Sequence, residues 1–204
     1  MQVMFRFLNR ANHLVCRVIF RLVSPPSPPL PEAGPVILVS NHVSFSDPLV
    51  LLATAGRPIR FLIAREIYER PRLRWVFRAF NCIPLSRGTS DVGAVRAALR
   101  ALRSGDVVGI FPEGGILKHR EESGHLGVGY LALKTGAPIV PASISWDKPR
   151  PLTLLGTLLK PGKAVVRYGT PIVVEPDPRP GSEEILAMTR SVMDRIKDLE
   201  RCSA

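Results

Sequence analysis

The chain has 204 residues, 46% of them hydrophobic, which suits one sizeable core and a single globular domain. Lys and Arg outnumber Asp and Glu by 28 to 17, a formal net charge of +11 at pH 7, and so large an excess points to an anionic partner. The basic residues form no Lys-rich runs with interleaved aromatics and no nucleic-acid motif is visible, so no nucleic-acid partner is expected, and anionic lipid or a polyanionic small molecule remains. The three cysteines, Cys16, Cys82 and Cys202, show no C-x-x-C spacing, which argues against a disulfide framework or a zinc site and for a reducing compartment.

Residues 2–23 are rich in large apolar groups but are interrupted by Arg6, Arg10, Arg17 and Arg21. No run approaches the ~20 apolar residues of a spanning helix. On a helix at 100° per residue the four arginines fall in one stripe about 60° wide, with His13 at its edge. Most of the wheel is apolar, including Phe5, Phe7, Leu8, Leu14, Val15, Val18 and Ile19. That pattern suits a helix lying in a membrane interface, its arginines toward anionic headgroups. A cleaved signal peptide fits less well, because the arginines break any apolar h-region. The competing reading is a helix packed on the domain itself; an apolar arc this wide favours the interface. Residues 24–34, rich in proline, read as a stiff linker. The expected organisation is a membrane-associating helix and linker over residues 1–34 and a globular domain over 35–204.

From Val36 onward strands and helices alternate. Strands are expected at 36–39, 60–64, 82–85, 107–111, 139–144 and 164–168. Helices are expected at 48–55, 71–80, 91–103, 127–135 and 183–201, the last with Ser182 as N-cap. In the helix over 91–103 the apolar face reads as Val92, Val95, Leu99 and Leu102. The alternation argues an α/β class, a single domain with a mostly parallel or mixed sheet flanked by helices. Between residues 57 and 78 stand seven arginines against Glu66 and Glu69, with Trp75, Phe77 and Phe80 among or beside them. The run reads equally as a solvated helix face and as a second membrane contact or a landing site for an acidic acyl donor.

Four stretches could carry chemistry. In Asn41-His42-Val43-Ser44-Phe45-Ser46-Asp47-Pro48 a strand delivers a histidine into a turn, and Asp47 lies close enough in sequence to fold back on the ring. Such a pair holds one imidazole tautomer and leaves the other nitrogen as a base. Asp47 before Pro48 also reads as a plain helix N-cap. In Ile83-Pro84-Leu85-Ser86-Arg87-Gly88 an arginine emerges at a strand end, where its planar fork can grip a phosphate. In Phe111-Pro112-Glu113-Gly114-Gly115 a strand runs into a glycine-rich turn whose amides can converge on an anion. In Ile139-Val140-Pro141 an apolar pair is bracketed by prolines. Taken singly, each of these has a bland reading: a structural histidine, a surface arginine, a solvated turn glutamate. His119 and His125 read as solvated loop residues.

Together, in this order and spacing, the four stretches resemble the lysophosphatidic acid acyltransferases and their relatives, the glycerophospholipid acyltransferases of the PlsC type, over about Val36 to Ile172. The resemblance implies acyl transfer from a thioester to a lipid hydroxyl. It implies His42 as general base, Asp47 as its orienting partner, Arg87 as ligand of the acceptor's phosphate, and Glu113 and Gly114 as shapers of the acceptor site. It implies no cofactor, since acyl-CoA or acyl-carrier protein is a substrate, and no metal. The partners are then membrane lipids and a lysophospholipid acceptor, and the location is the cytoplasmic face of a membrane. The acceptor expected from the family is 1-acyl-glycerol-3-phosphate. Many members follow Phe-Pro-Glu-Gly with Thr-Arg-Ser, whereas this chain has Gly115-Ile116-Leu117. Either Lys118 or Arg120 replaces that second arginine, or the acceptor is a different lipid. Ser86 also stands before Arg87 where an acidic residue is common. A catalytically silent lipid-binding protein of the same fold is the alternative from another class.

Overall fold

The computed structural model describes residues 2–24, 30–86, 91–112, 122–151, 156–157 and 160–202. Its centre is a six-stranded sheet. The strands are β1 (Val36–Ser40), β2 (Ile59–Ala64), β3 (Ile83–Leu85), β4 (Val107–Ile110), β5 (Ile139–Trp146) and β6 (Ala164–Tyr168). Their spatial order is β3-β2-β4-β1-β5-β6, all neighbours pairing in parallel except the antiparallel β5 and β6. The class is therefore α/β with a mixed sheet, as the alternation implies.

β1 is central and reads Val-Ile-Leu-Val-Ser with every residue buried, because a parallel strand covered on both faces needs apolar groups at every position. Its side chains divide between two cores. Val36 and Leu38 face one layer, together with Phe61 of β2 and Val140, Ala142 and Ile144 of β5. Ile37 and Val39 face the other, together with Val108 and Ile110 of β4. The first layer is roofed by helices α1 (Gln2–Ile19), α2 (Asp47–Thr54) and α4 (Pro71–Ala79), with the short α3 (Arg65–Tyr68) beside them. The second is roofed by α5 (Val92–Arg103), α6 (Glu122–Thr135) and α7 (Ser182–Arg201). α6 and α7 approach closely because α6 has a glycine at the crossing: a Cβ on Gly129 would stand 2.3 Å from the carbonyl oxygen of Ile185.

Three local expectations are corrected. α5 buries its alanine face, Ala94, Ala98 and Ala101 with Leu102, and leaves Val92 55% exposed. Small side chains let the helix sit close to the sheet, while Val95 and Leu99 cover the flank. α7 begins at Ser182 with Gly181 as its N-cap, the Glu184 carboxylate accepting the Gly181 N–H at 2.9 Å. Asp47 is the first residue of α2 rather than its cap; the cap position belongs to Ser46, whose side chain makes no capping bond.

The N-terminal segment packs on the domain. Asn12 Nδ2 donates to the Leu49 carbonyl at 2.8 Å and the His13 ring to that of Ala53 at 3.1 Å, tying α1 to α2. Beyond α1 the chain runs along β6, where Val23 N–H donates to the Ala164 carbonyl and Val166 N–H to that of Val23. Phe20 is fully buried with its ring edge-on to Trp146 at 5.2 Å. The opposite face of α1 stays bare, with Leu14 63% and Val18 69% exposed. The part of the linker over residues 25–29 lies outside the described residues. Among the described residues no helix is long and apolar enough to cross a membrane.

Candidate active site

Open parallel sheets place their ligand sites outside the carboxyl ends of the strands, and the conspicuous polar cluster of this chain lies there, past the end of β1. Asn41 is buried, and its side chain continues the sheet where the backbone leaves it. Its Nδ2 donates to the Ile144 carbonyl at 3.0 Å, and its Oδ1 accepts the Ile144 N–H at 2.8 Å. The turn is thereby clipped to β5, and His42 departs from a fixed point.

Asp47 then folds back from the first turn of α2. Its Oδ2 lies 3.0 Å from His42 Nδ1 and accepts the N–H groups of Val43 and Ser44, each at 2.7 Å. Its Oδ1 accepts the indole N–H of Trp146 at 3.0 Å. The carboxylate is fully buried, so both oxygens must be satisfied by the protein, and these four donors do so. An ionised carboxylate only accepts hydrogen bonds, so Nδ1 is the ring nitrogen that carries the proton and Nε2 is left with a free lone pair.

The plane of the His42 ring is fixed by stacking. Phe111, just past β4, lies against it at 4.1 Å between centroids and 21° between planes. Phe61 of β2 stacks on Phe111 in turn, at 5.5 Å and 8°. This column of three rings depends on Gly109, the β4 residue paired with Phe61. A Cβ there would stand 2.5 Å from the Phe61 ring, so no larger residue fits without moving it. The His42 side chain remains 14% exposed while Asp47 is sealed, so the ring has a way to solvent and the carboxylate has none. A cleft of about 610 Å³ opens beside the turn, lined by Asn41, Val43, Ile144, Trp146 and Arg150 among others. Arg150 stacks on Trp146 at 4.3 Å and also lies 5.3 Å from the Phe20 ring.

Of the residues expected at the site, His42 and Asp47 are thus brought together. Arg87, Glu113 and Gly114, like Lys118 and Arg120, lie outside the described residues. The elements leading to them are placed. β4 adjoins β1, and Phe111 brings the chain to the His42 ring. β3 ends three strands from β1, roughly 14 Å across the sheet at the usual strand spacing. Before Arg87, Ser86 is held by Asp91, whose carboxylate accepts the Ser86 N–H at 2.9 Å and also caps α5 through the Ala94 N–H at 2.9 Å. Arg65 donates to the Ser86 hydroxyl at 2.9 Å and approaches Asp91 to 3.5 Å. The acidic group beside Ser86 is therefore Asp91, five residues further on. The N–H donors of Ala94 and then Ser86 pull its carboxyl down to about 2.

Trp146, Phe111, Phe61 and Asp91 were not among the expected site residues. An expected β5 end at Ile144 stops the strand two residues short of the indole. A phenylalanine before Pro-Glu-Gly carries no sign of which ring it will meet. Asp91 was legible as a helix start but not as a partner of Ser86.

Comparison with known proteins identifies the family. Residues 27–145, more than half of the chain, match the family model described as Acyltransferase. A chloroplastic 1-acyl-sn-glycerol-3-phosphate acyltransferase of Arabidopsis thaliana is 30% identical over 159 residues, 73% of this chain and 40% of that protein. The 1-acyl-sn-glycerol-3-phosphate acyltransferase of Bacillus subtilis is 24% identical over 84% of both chains. The crystal structure of the 1-acyl-sn-glycerophosphate (LPA) acyltransferase PlsC from Thermotoga maritima superposes with a TM-score of 0.71 at 23% identity, covering 100% of this chain and 83% of that one. The chain spans about 40% of the length of the Arabidopsis relative, and 33% of that of a chloroplastic 1-acyl-sn-glycerol-3-phosphate acyltransferase of Brassica napus to which it is 32% identical over 60% of its own length. With the family model covering the His42–Asp47 turn and most of the sheet, the chain belongs to the acyltransferase family that its ordered motifs resemble.

Proposed function

We propose that this protein transfers an acyl group from an acyl thioester, acyl-CoA or acyl-carrier protein, to the free hydroxyl of a lysophospholipid, with 1-acyl-glycerol-3-phosphate as acceptor and phosphatidic acid as product. The observation that carries the reading is the His42–Asp47 pair, with Nδ1 held by the carboxylate and the ring still reachable from solvent. A hydroxyl is a poor nucleophile until a base takes its proton in the transition state. His42 Nε2 takes that proton as the acceptor oxygen attacks the thioester carbonyl. The charge that develops on the imidazolium is met by the buried Asp47 carboxylate. The tetrahedral intermediate collapses with cleavage of the C–S bond, and the imidazolium returns the proton to the thiolate. One ester forms, one thioester breaks, and no residue of the protein is acylated. Arg87 is the proposed ligand of the acceptor's phosphate, and Glu113 and Gly114 the proposed walls of its site. The names of the relatives support the acceptor class. The reaction is placed at a membrane surface, on its cytoplasmic face.

A second reading keeps the chemistry and changes the acceptor. It is favoured by Gly115-Ile116-Leu117 standing where many members carry Thr-Arg-Ser. Labelled acyl-CoA and acyl-carrier protein, each offered with a panel of lysolipids differing in headgroup, separate the readings. Preferred acylation of 1-acyl-glycerol-3-phosphate supports the first and preferred acylation of another lysolipid the second. No transfer to any acceptor sinks both and leaves a silent lipid-binding protein.

A further inference from the structure

The arginine run over residues 57–78 divides in the structure into two groups. Arg57 donates to the carbonyls of Pro31, Gly34 and Gly105. Arg60 pairs with Asp106 at 2.7 Å, and Arg65 with Asp91 and Glu69. These three hold the fold together. Arg70, Arg72, Arg74 and Arg78, at the N-cap of α4 and along it, are all exposed. Among the described residues none of the four has a carboxylate in ion-pair contact.

The aromatic residues divide in the same way. Phe77 and Phe80 turn inward onto the core, Phe77 stacking on Tyr68 at 5.8 Å. Trp75 turns outward and is 62% exposed. At 100° per residue Arg72 and Arg78 flank it by about 60° on either side, with Arg74 about 100° away. One helix face thus carries a bare indole ringed by cations. An indole is amphipathic and gains most at a boundary between water and hydrocarbon. Cations around it gain most where that boundary is negatively charged. The face is the convex outside of a helix, so its partner must be broad and must yield to an inserted ring. A bilayer meets both requirements. α4 also lies in the same helical layer as α1, whose bare Leu14, Val15 and Val18 accompany the exposed Arg10 and Arg17.

We propose that the outer face of α4, Trp75 with Arg72, Arg74 and Arg78, is a docking surface for an anionic lipid bilayer. It forms a second membrane contact beside α1. Both contacts belong to the layer containing α2, whose first residue is Asp47, so a bilayer touching both would hold the His42 turn at a fixed height near the lipid that it acylates. The inference goes beyond the acyl-transfer reading, and its readout needs no turnover.

The test is co-sedimentation of the full chain with phosphatidylcholine vesicles, with and without phosphatidylglycerol, at low and high salt. Binding is expected to require phosphatidylglycerol and to weaken with salt. A cation near an anionic surface is worth about fivefold in partitioning, so the triple variant Arg72→Glu, Arg74→Glu, Arg78→Glu should bind at least on the order of a hundredfold more weakly. Trp75→Ala should weaken binding as well. Tryptophan emission of the unaltered chain should be quenched by brominated lipid, and Trp75→Phe should lose that quenching. Circular dichroism and thermal melting confirm that each variant is folded. Folded variants that bind vesicles as tightly as the unaltered chain overturn the proposal. So does a charge-reversed variant that keeps its vesicle binding but no longer binds acyl-carrier protein, which would give this face to a protein donor.

Discussion

The indole N–H of Trp146 donates to Asp47 Oδ1 at 3.0 Å across 99 positions of sequence, joining the end of β5 to the start of α2. The bond does for one oxygen of the carboxylate what His42 and the two turn amides do for the other. A buried carboxylate oxygen without a donor is costly, and hydrogen bonds to charged groups contribute about 1.5–3 kcal/mol. Trp146→Phe keeps a ring against Phe20 and Arg150 but deletes the donor. We expect kcat to fall by on the order of ten- to a hundredfold with KM little changed, and the pH profile of kcat to shift, because Asp47 acts through His42. A structural role alone would move the melting temperature and leave the pH profile in place.

Gly109 supports the same histidine from the other side. Ala at this position puts a methyl group into the Phe61 ring, which is stacked on Phe111, which is stacked on His42. Overpacking of this kind costs about 1–3 kcal/mol. Gly109→Ala should lower stability by that amount in urea denaturation and lower activity further than its folded fraction explains. Pairing it with Phe61→Leu should recover part of both losses.

Asp91 links acid stability to the end of β3, where it holds Ser86. Its folded carboxyl lies near 2, below the ordinary value of 3.8. A depressed folded pKa contributes stability that is present above the unfolded pKa and lost as pH falls through the folded one. Asp91→Ala should therefore cost about 1 kcal/mol at neutral pH through the lost cap. The gap between variant and unaltered chain should narrow as pH falls from about 4 toward 2. Melting curves across that window check both parts.

The thiols divide by burial. Cys16 and Cys82 are pushed up to about 12 by burial, whereas Cys202 is exposed. Since the thiolate is the reactive form, a thiol reagent at pH 8 should modify one cysteine of the folded chain quickly and the other two only on unfolding. Peptide mapping should find the fast adduct on Cys202. Fast labelling of Cys16 would show that α1 leaves α2 readily.

How much of this was legible in the sequence depended on how local each signal was. The strand-helix alternation, the α/β class and the His42–Asp47 pairing follow from short-range patterns, and all of them appear in the structure. The antiparallel edge strand β6 and the spatial order of the strands depend on long-range pairing and left no local mark. Trp146 carries no local signal of its role, because its partner is distant in sequence. In α5 the large apolar residues point to one buried face, while the sheet selects the alanines for close approach. The reading of α1 was a choice between packing and interface, and the helix has a face for each: Cys16 is buried, and Leu14 and Val18 are bare.

The central claim is that His42 acts directly on the acceptor hydroxyl. Its most direct test is single-turnover transfer from labelled acyl-CoA to 1-acyl-glycerol-3-phosphate by the unaltered chain and by His42→Ala, with folding checked by circular dichroism. General-base removal should cost on the order of a hundred- to ten-thousandfold in rate, with no acyl label retained on either protein. Full activity in a folded His42→Ala variant, or label trapped covalently on the unaltered chain, would contradict the account.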